Sequence, residues 1–227
     1  MFEGFTSETI DFLWGIRFNN NREWFEAHKE VYLSQLYRPM VEMADEVCEF
    51  LRALRPDHGL ARKVTRIYRD TRRLFGRGPY KDGLWFCVDQ PSEDWHDKPT
   101  FYFDLDPDCY SFGLGDMASP SSMAKLRARM DHDPKPLEKL VRALERQTEF
   151  VPELPQYKRS KGEAPSKLLR PWYQARNFSL VHTESPSDEL FSRDILERVK
   201  RGFTFLLPYY DYFVTLSSDP EPSEQSD

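Results

Sequence analysis

The apolar residues of this chain change their spacing twice, and that change limits the architectures open to it. Between Met40 and Leu54 they recur at three- and four-residue steps (Met40, Met43, Ala44, Val47, Leu51, Leu54), the stripe of an amphipathic helix. Further on they alternate. Leu84, Phe86 and Val88 are interleaved with Trp85 and Cys87, and Phe101, Phe103 and Leu105 with Tyr102 and Asp104. A strand sends successive side chains to opposite faces, so period two reads as β-structure. After Ser119-Pro120 the helical spacing returns in Met123, Leu126 and Met130, and after Pro134 in Leu137, Leu140, Val141 and Leu144. Helices, then strands, then helices predict an α+β fold, with a small, mostly antiparallel sheet flanked by N-terminal, middle and C-terminal helices.

Punctuation refines this outline. Thr6 or Ser7 can cap a first helix, and Asn19-Asn20-Asn21 supplies a turn and the N-cap of a second that starts at Arg22. Pro39 is expected to break or restart that helix. Val64 to Arg69 alternates as a strand would, and Asp106-Pro107-Asp108 turns the 101–105 strand into Tyr110-Ser111-Phe112 as a hairpin. Gly113-Leu114-Gly115 reads as a strand-end turn, residues 151–165 as a loop, and Phe178, Leu180 and His182 as a further strand. From Pro186 to about Leu216 the chain is helical, with a break expected at Pro208. Residues 1–216 are expected to form one domain, and 217–227 a disordered acidic tail.

Composition excludes several classes. The 227 residues include 17 Phe, 11 Tyr and 5 Trp, too much core material for a disordered chain. Neither a membrane-spanning apolar run nor a signal peptide is present, which points to a soluble protein without membrane association. Three widely spaced cysteines, Cys48, Cys87 and Cys109, fit buried thiols in a reducing cytoplasm. The net charge of −6 argues against a general nucleic-acid binder, without excluding a short stretch of nucleic acid.

The usual catalytic and metal signatures fail. No pair among the five histidines has metal spacing, and there is no nucleophile elbow or phosphate-binding glycine loop. Asp104-Leu105-Asp106-Pro107-Asp108 lacks the glycine and glutamate of a calcium loop, placing Cys109 and Gly115 there instead. Nothing indicates a metal, and no cofactor or oligomeric state can be named.

What remains is one basic stretch. Residues 62–82 hold eight Lys/Arg against Asp70 and Asp82, so the positive charge is confined to one segment of an acidic chain. If Arg66 to Arg72 is extended, Arg66, Tyr68, Asp70 and Arg72 share one face, with Arg69 on the other. Three readings are open. Asp70 neutralises the arginines in an ion-pair network that builds the core. Or it orients one guanidinium while others grip the phosphate or carboxylate of an anionic small molecule, with Tyr80-Lys81 closing over it after the flexible Gly76-Arg77-Gly78-Pro79 turn. Or Asp70, Tyr80 or Lys81 performs acid–base catalysis.

Phe2-Glu3-Gly4-Phe5, the run from Asn19 to Phe25, and Arg66-Ile67-Tyr68-Arg69-Asp70-Thr71-Arg72 followed by Pro79-Tyr80-Lys81 resemble the domain of unknown function 2461. This is a family of conserved hypothetical proteins of bacteria and fungi, and the resemblance spans roughly residues 2–213. Weaker echoes follow at Gly113-Leu114-Gly115, Leu126-Arg127 and Tyr157 to Gly162. The resemblance implies positions of interest (Asn20, Trp24, Arg66, Arg69, Asp70, Arg72, Tyr80 and Lys81) but no roles, activity, substrate or cofactor. Between Arg72 and Pro79 the family shows a Phe-Ser-Lys-Asp-Lys-like run where this chain has Arg73-Leu74-Phe75-Gly76-Arg77-Gly78, so this member departs there.

Overall fold

A computed structural model describes residues 1–70, 72, 74, 76–91, 98–116 and 119–221. Helix α1 (Ser7–Phe18) opens with a reciprocal cap, because the Thr9 amide donates to Thr6 Oγ1 (3.3 Å) and the Thr6 amide to Thr9 Oγ1 (3.1 Å). Asn21 caps α2 (Arg22–Ala27) by accepting from the Trp24 amide at 3.0 Å, as the asparagine run predicts. Pro39 does not interrupt the next helix. α3 (Lys29–Val31) passes through a π-helical turn at Tyr32–Tyr37 into α4 (Arg38–Leu54). The wide turn falls just before Pro39, whose ring would collide with the fourth preceding carbonyl of a regular helix.

Six strands follow: β1 (Ala61–Val64), β2 (Leu84–Asp89), β3 (Thr100–Leu105), β4 (Tyr110–Asp116), β5 (Val151–Glu153) and β6 (Phe178–Glu184). They form one sheet in the order β1-β2-β3-β4-β6-β5, with β1–β2 and β5–β6 antiparallel. The chain is therefore α+β. α4 lies against β1 and β2, burying Met40, Met43, Ala44, Val47 and Leu51. The alternation in the sequence is realised. Leu84, Phe86, Val88, Phe101, Phe103 and Leu105 are buried, while Tyr102 and Asp104 stand half-buried on the reverse face.

Several expectations need correction. The first strand starts at Ala61 and leaves the ladder at Val64, so Arg66 is not part of a strand. Strand β4 continues through Gly113-Leu114-Gly115, because the Leu180 carbonyl comes within 2.0 Å of where a Cβ of Gly113 would stand. The loop expected at 151–165 begins with β5. α5 (Pro120–His132) is capped by Ser119 and leads to α6 (Lys135–Leu144); a short α7 (Arg170–Tyr173) precedes β6. α8 (Asp194–Val214) runs through Pro208 without a break. Burial of Leu206, Tyr209, Tyr210 and Phe213 around it offsets the ~3 kcal/mol an interior proline costs. The expected tail is tethered where it begins. Thr215–Ser218 forms a turn, and Arg129 donates to both carboxylate oxygens of Asp219 at 2.7 Å. Residues 222–227 of that tail lie outside the described residues.

The chain gathers into two compact units. The first comprises Met1–Gln90, Tyr102–Phe112 and Thr183–Gly202. Its core is aromatic, with Phe103 against Phe5 (6.0 Å between centroids), Phe86 (5.7 Å) and Tyr110 (6.1 Å). The second takes in Gly113–His182 and the chain from Phe203 on, with the start of β3. There Phe101 meets Phe203 (4.9 Å) and Tyr210 (5.1 Å), and Phe178 meets Phe213 (4.0 Å). Among the described residues no helix is long and apolar enough to cross a membrane.

Candidate functional site

The basic stretch leaves β1 at Val64 and returns to the start of β2 as a narrow excursion. Its two arms pair near their bases. The Lys81 amide donates to the Ile67 carbonyl (2.7 Å), the Arg69 amide to the Pro79 carbonyl (2.8 Å), and Tyr68 and Tyr80 form an isolated antiparallel bridge. Local alternation survives without a ladder: Thr65 and Ile67 are buried, Arg66, Tyr68 and Asp70 exposed. The shared face read from the sequence is thus the outer one. On it, Asp70 accepts from the Arg72 amide and guanidinium at 3.0–3.1 Å. The Arg72 side chain is 86 % exposed, so this local pair contributes little to stability.

The inward group is different in kind. Asn20 reads the Tyr80 backbone at both ends, donating from Nδ2 to its carbonyl (3.0 Å) and accepting its amide at Oδ1 (2.9 Å). Gly78 makes room for that amide, since a Cβ there would stand 2.2 Å from Asn20 Oδ1. The Arg69 Nε donates to the same Tyr80 carbonyl (2.6 Å), and its Nη2 to Asp82 (3.1 Å). Asp82 also accepts from Arg17 Nε at 2.7 Å, and Arg17 reaches on to Asp108. Burial raises the Asp82 pKa, but the Arg17 hydrogen bond and the charges of Arg17 and Arg69 outweigh it and hold the carboxyl below its ordinary range. The Tyr80 ring turns away from Lys81 into the core and stacks on Phe25 at 4.2 Å. Burial raises its pKa, which suits packing better than proton transfer. Trp24 packs on Phe12 (5.6 Å) and His28 (3.9 Å), over a Gly15 whose Cβ would meet its ring at 2.4 Å.

Arg66 and Lys81 stand outside this network. Among the described residues neither side chain has a hydrogen bond or ion pair, whereas Arg62 meets Asp45, Arg69 meets Asp82 and Arg72 meets Asp70. Lys81 is half-buried. Burial, then the charges of Arg69 and Arg66, lower its pKa, and only Asp104 opposes them. Asp104 faces outward from β3, and burial, then Asp106, push its carboxyl up to about 6, against the pull of Lys81. Gly83 lets these strands close, because a Cβ there would meet the Leu105 carbonyl at 3.0 Å and Asp106 Cβ at 3.3 Å. Asp106 itself is engaged in the hairpin turn, where Oδ1 accepts the amides of Asp108 (2.8 Å) and Cys109 (3.0 Å). Burial, then Asp106, push the Cys109 thiol up to about 11, so it is not a thiolate at neutral pH.

The residues named from the sequence therefore fall into three groups. Arg66 and Lys81 flank an under-neutralised spot, Asn20, Arg69 and Tyr80 hold the backbone that presents Lys81, and Asp70 with Arg72 and Trp24 lie apart from both. Sequence reasoning missed Asp104, Asp82 and Arg17. Asp104 has a signal, an acid at an outward position of an alternating strand. Arg17 gave none.

A family model described as "Conserved hypothetical protein (DUF2461)" matches residues 8–212. No curated protein matches the chain. With nearly its whole length covered, the chain belongs to the conserved hypothetical protein family DUF2461.

Proposed function

We propose that Arg66 and Lys81 bind the phosphate or carboxylate of a small ligand, with Asp104 as the group that tunes affinity with pH. One observation carries this reading. Lys81 is half-buried beside two guanidiniums, with no carboxylate in contact among the described residues and a pKa lowered by burial and by those neighbours. A cation so situated lacks a counter-ion, and an anion supplied from solution would relieve both costs. Arg66 adds a forked donor of the geometry phosphates and carboxylates accept. Asn20, Arg69 and Tyr80 act here as positioning residues. The net charge of −6 favours a small ligand over a nucleic acid, and the three free thiols suit a cytoplasmic setting.

The Asp104 carboxyl, pushed up to about 6, repels an anion when ionised and donates a hydrogen bond to it when protonated. Affinity should therefore rise as pH falls through about 6. Calorimetric titration with phosphate and with citrate at pH 5.5 and 7.5 tests this. Saturable binding that is stronger at pH 5.5 and lost in Arg66→Gln/Lys81→Gln is expected. No saturable binding at either pH, or binding indifferent to that double substitution, overturns it.

A second reading has its own support. Lys81 lowered and Asp104 raised are two titrating groups driven toward each other, the pattern of an acid–base pair. Asp104→Asn separates the two: it tightens anion binding at pH 7.5 if Asp104 only tunes affinity, and abolishes turnover if Asp104 moves a proton.

A further inference from the structure

The outer face of the sheet carries a large ring beside the Arg66–Lys81 spot. Strand β2 buries Leu84 and Phe86 and turns Trp85 between them to the outside, where it is 37 % exposed. Its neighbours across the sheet are fixed on both sides. On one side Thr65 donates its amide to the Trp85 carbonyl (2.9 Å) and accepts the Trp85 amide at Oγ1 (3.3 Å), so Trp85 lies opposite the residue before Arg66. On the other, Phe86 stacks on Phe103 (5.7 Å) and Gly83 closes on Leu105 and Asp106, which in an antiparallel pair sets Trp85 opposite Asp104. All of these residues belong to the first compact unit.

The indole is left without a partner. Phe18, Tyr37 and Tyr68 are also exposed, but each leans on another ring, Trp14 (5.6 Å), Tyr32 (5.8 Å) and Tyr80 (5.4 Å) respectively. Among the described residues neither an aromatic ring nor a cation stands against Trp85. Lys81 is four residues away, at most about 13 Å along an extended chain. Gly83, midway, brings no side chain between them. The outer face thus offers an anion grip and, a short gap away, a flat apolar surface.

We infer that the ligand of this site is a phosphate monoester carrying a planar aromatic ring, which stacks on Trp85 while its phosphate meets Lys81 and Arg66. The inference rests on the anion-binding reading of Arg66 and Lys81 and names the other half of the ligand. A phosphate monoester carries a charge of about −1.5 to −2 at neutral pH, which two cations match and a lone carboxylate does not. A triphosphate would bring its extra charge up against Asp104 and Asp106, which already repel each other. A ring laid on an exposed indole removes apolar surface from water on both partners, and such stacking raises affinity by about fivefold to a hundredfold per base.

Calorimetric titration of the full chain at pH 6.0 with adenosine 5′-monophosphate, uridine 5′-monophosphate and ribose 5-phosphate is the test, because the three share the phosphate and differ in the ring. The adenosine ligand should bind about tenfold or more tighter than ribose 5-phosphate, with the smaller uridine ring between them. In Trp85→Leu the three affinities should converge on that of ribose 5-phosphate, itself unchanged within about twofold, whereas Trp85→Phe, which keeps a ring, should retain part of the preference. Equal affinities in the wild type, or a preference that survives Trp85→Leu, would overturn the inference and leave the Arg66–Lys81 reading standing. A loss in Trp85→Phe as complete as in Trp85→Leu would overturn it as well, since a ring would then not be what binds. Binding of none of the three up to about 10 mM would overturn both readings together.

Discussion

Two basic segments of this chain, residues 62–82 and 158–176, differ in what their cations face. The second carries Lys158, Arg159, Lys161, Lys167, Arg170 and Arg176 against the single acid Glu163, so positive charge is not confined to residues 62–82. In residues 62–82 most guanidiniums are turned onto the protein itself. Arg62 meets Asp45, Arg69 meets Asp82 and the Tyr80 carbonyl, and Arg72 meets Asp70, while Lys63, Arg66, Arg77 and Lys81 meet no acid among the described residues. In residues 158–176 no cation meets an acid among the described residues, and the segment is braced by neutral amides instead. Local charge density alone therefore does not show how the cations are neutralised. What counts is whether the chain supplies its own acids, and that depends on residues far away in sequence, such as Arg17 and Asp108 around Asp82.

If that contrast is right, charge removal should hurt the first segment and spare the second. Asp82→Ala should have the largest effect, because it leaves Arg17 and Arg69 facing each other without their shared acid. At one-third exposure the loss should be roughly 2–4 kcal/mol by urea denaturation, somewhat below the figure for a fully buried pair. A loss below about 0.5 kcal/mol would show this network to be no firmer than a surface pair. Next come Asn20→Ala and Gly78→Ala, each expected to cost about 2–3 kcal/mol, since both abolish the paired hydrogen bonds to Tyr80. The double variant should cost clearly less than the sum of the two, and strict additivity would deny the coupling.

Asp104→Asn should act in the opposite direction. The folded pKa of about 6 lies above the ordinary 3.8, so wild-type stability falls as pH rises from about 4 through 6 and then levels off. The asparagine variant should thus be more stable by roughly 1–3 kcal/mol at pH 7.5, with the gain gone below about pH 4. Melting curves at the two pH values check the sign. The smallest effects are expected from Arg72→Ala and from Lys167→Gln/Arg170→Gln, each within about 0.5 kcal/mol of wild type. A large loss in the latter would mean that the 158–176 cations hold the fold together after all.

The sequence carried those features that repeat within one element. Phe101, Phe103 and Leu105 announce both a strand and its buried face, and Asn21 announces a cap, because each depends on neighbours a few residues away. Features decided by a distant partner were not legible. Gly113 looks like a turn until the Leu180 carbonyl is set against it, and Pro208 looks like a break until the buried ring cluster around α8 is known. The candidate site divides the same way. Lys81 could be named, and the outward face of Arg66, Tyr68 and Asp70 read from period two. That Asp70 turns to Arg72 while Asp104, on another strand, acts on Lys81 follows only from the fold.

Gly78 and Asn20 occupy one volume between them, and this has a consequence for the family's history. Asn20 lies in a run that resembles the family's, whereas Gly78 lies in the run where this chain departs from it. A Cβ at 78 would collide with the amide at 20, so a relative with a side chain there must hold the Tyr80 backbone in another geometry than this chain does.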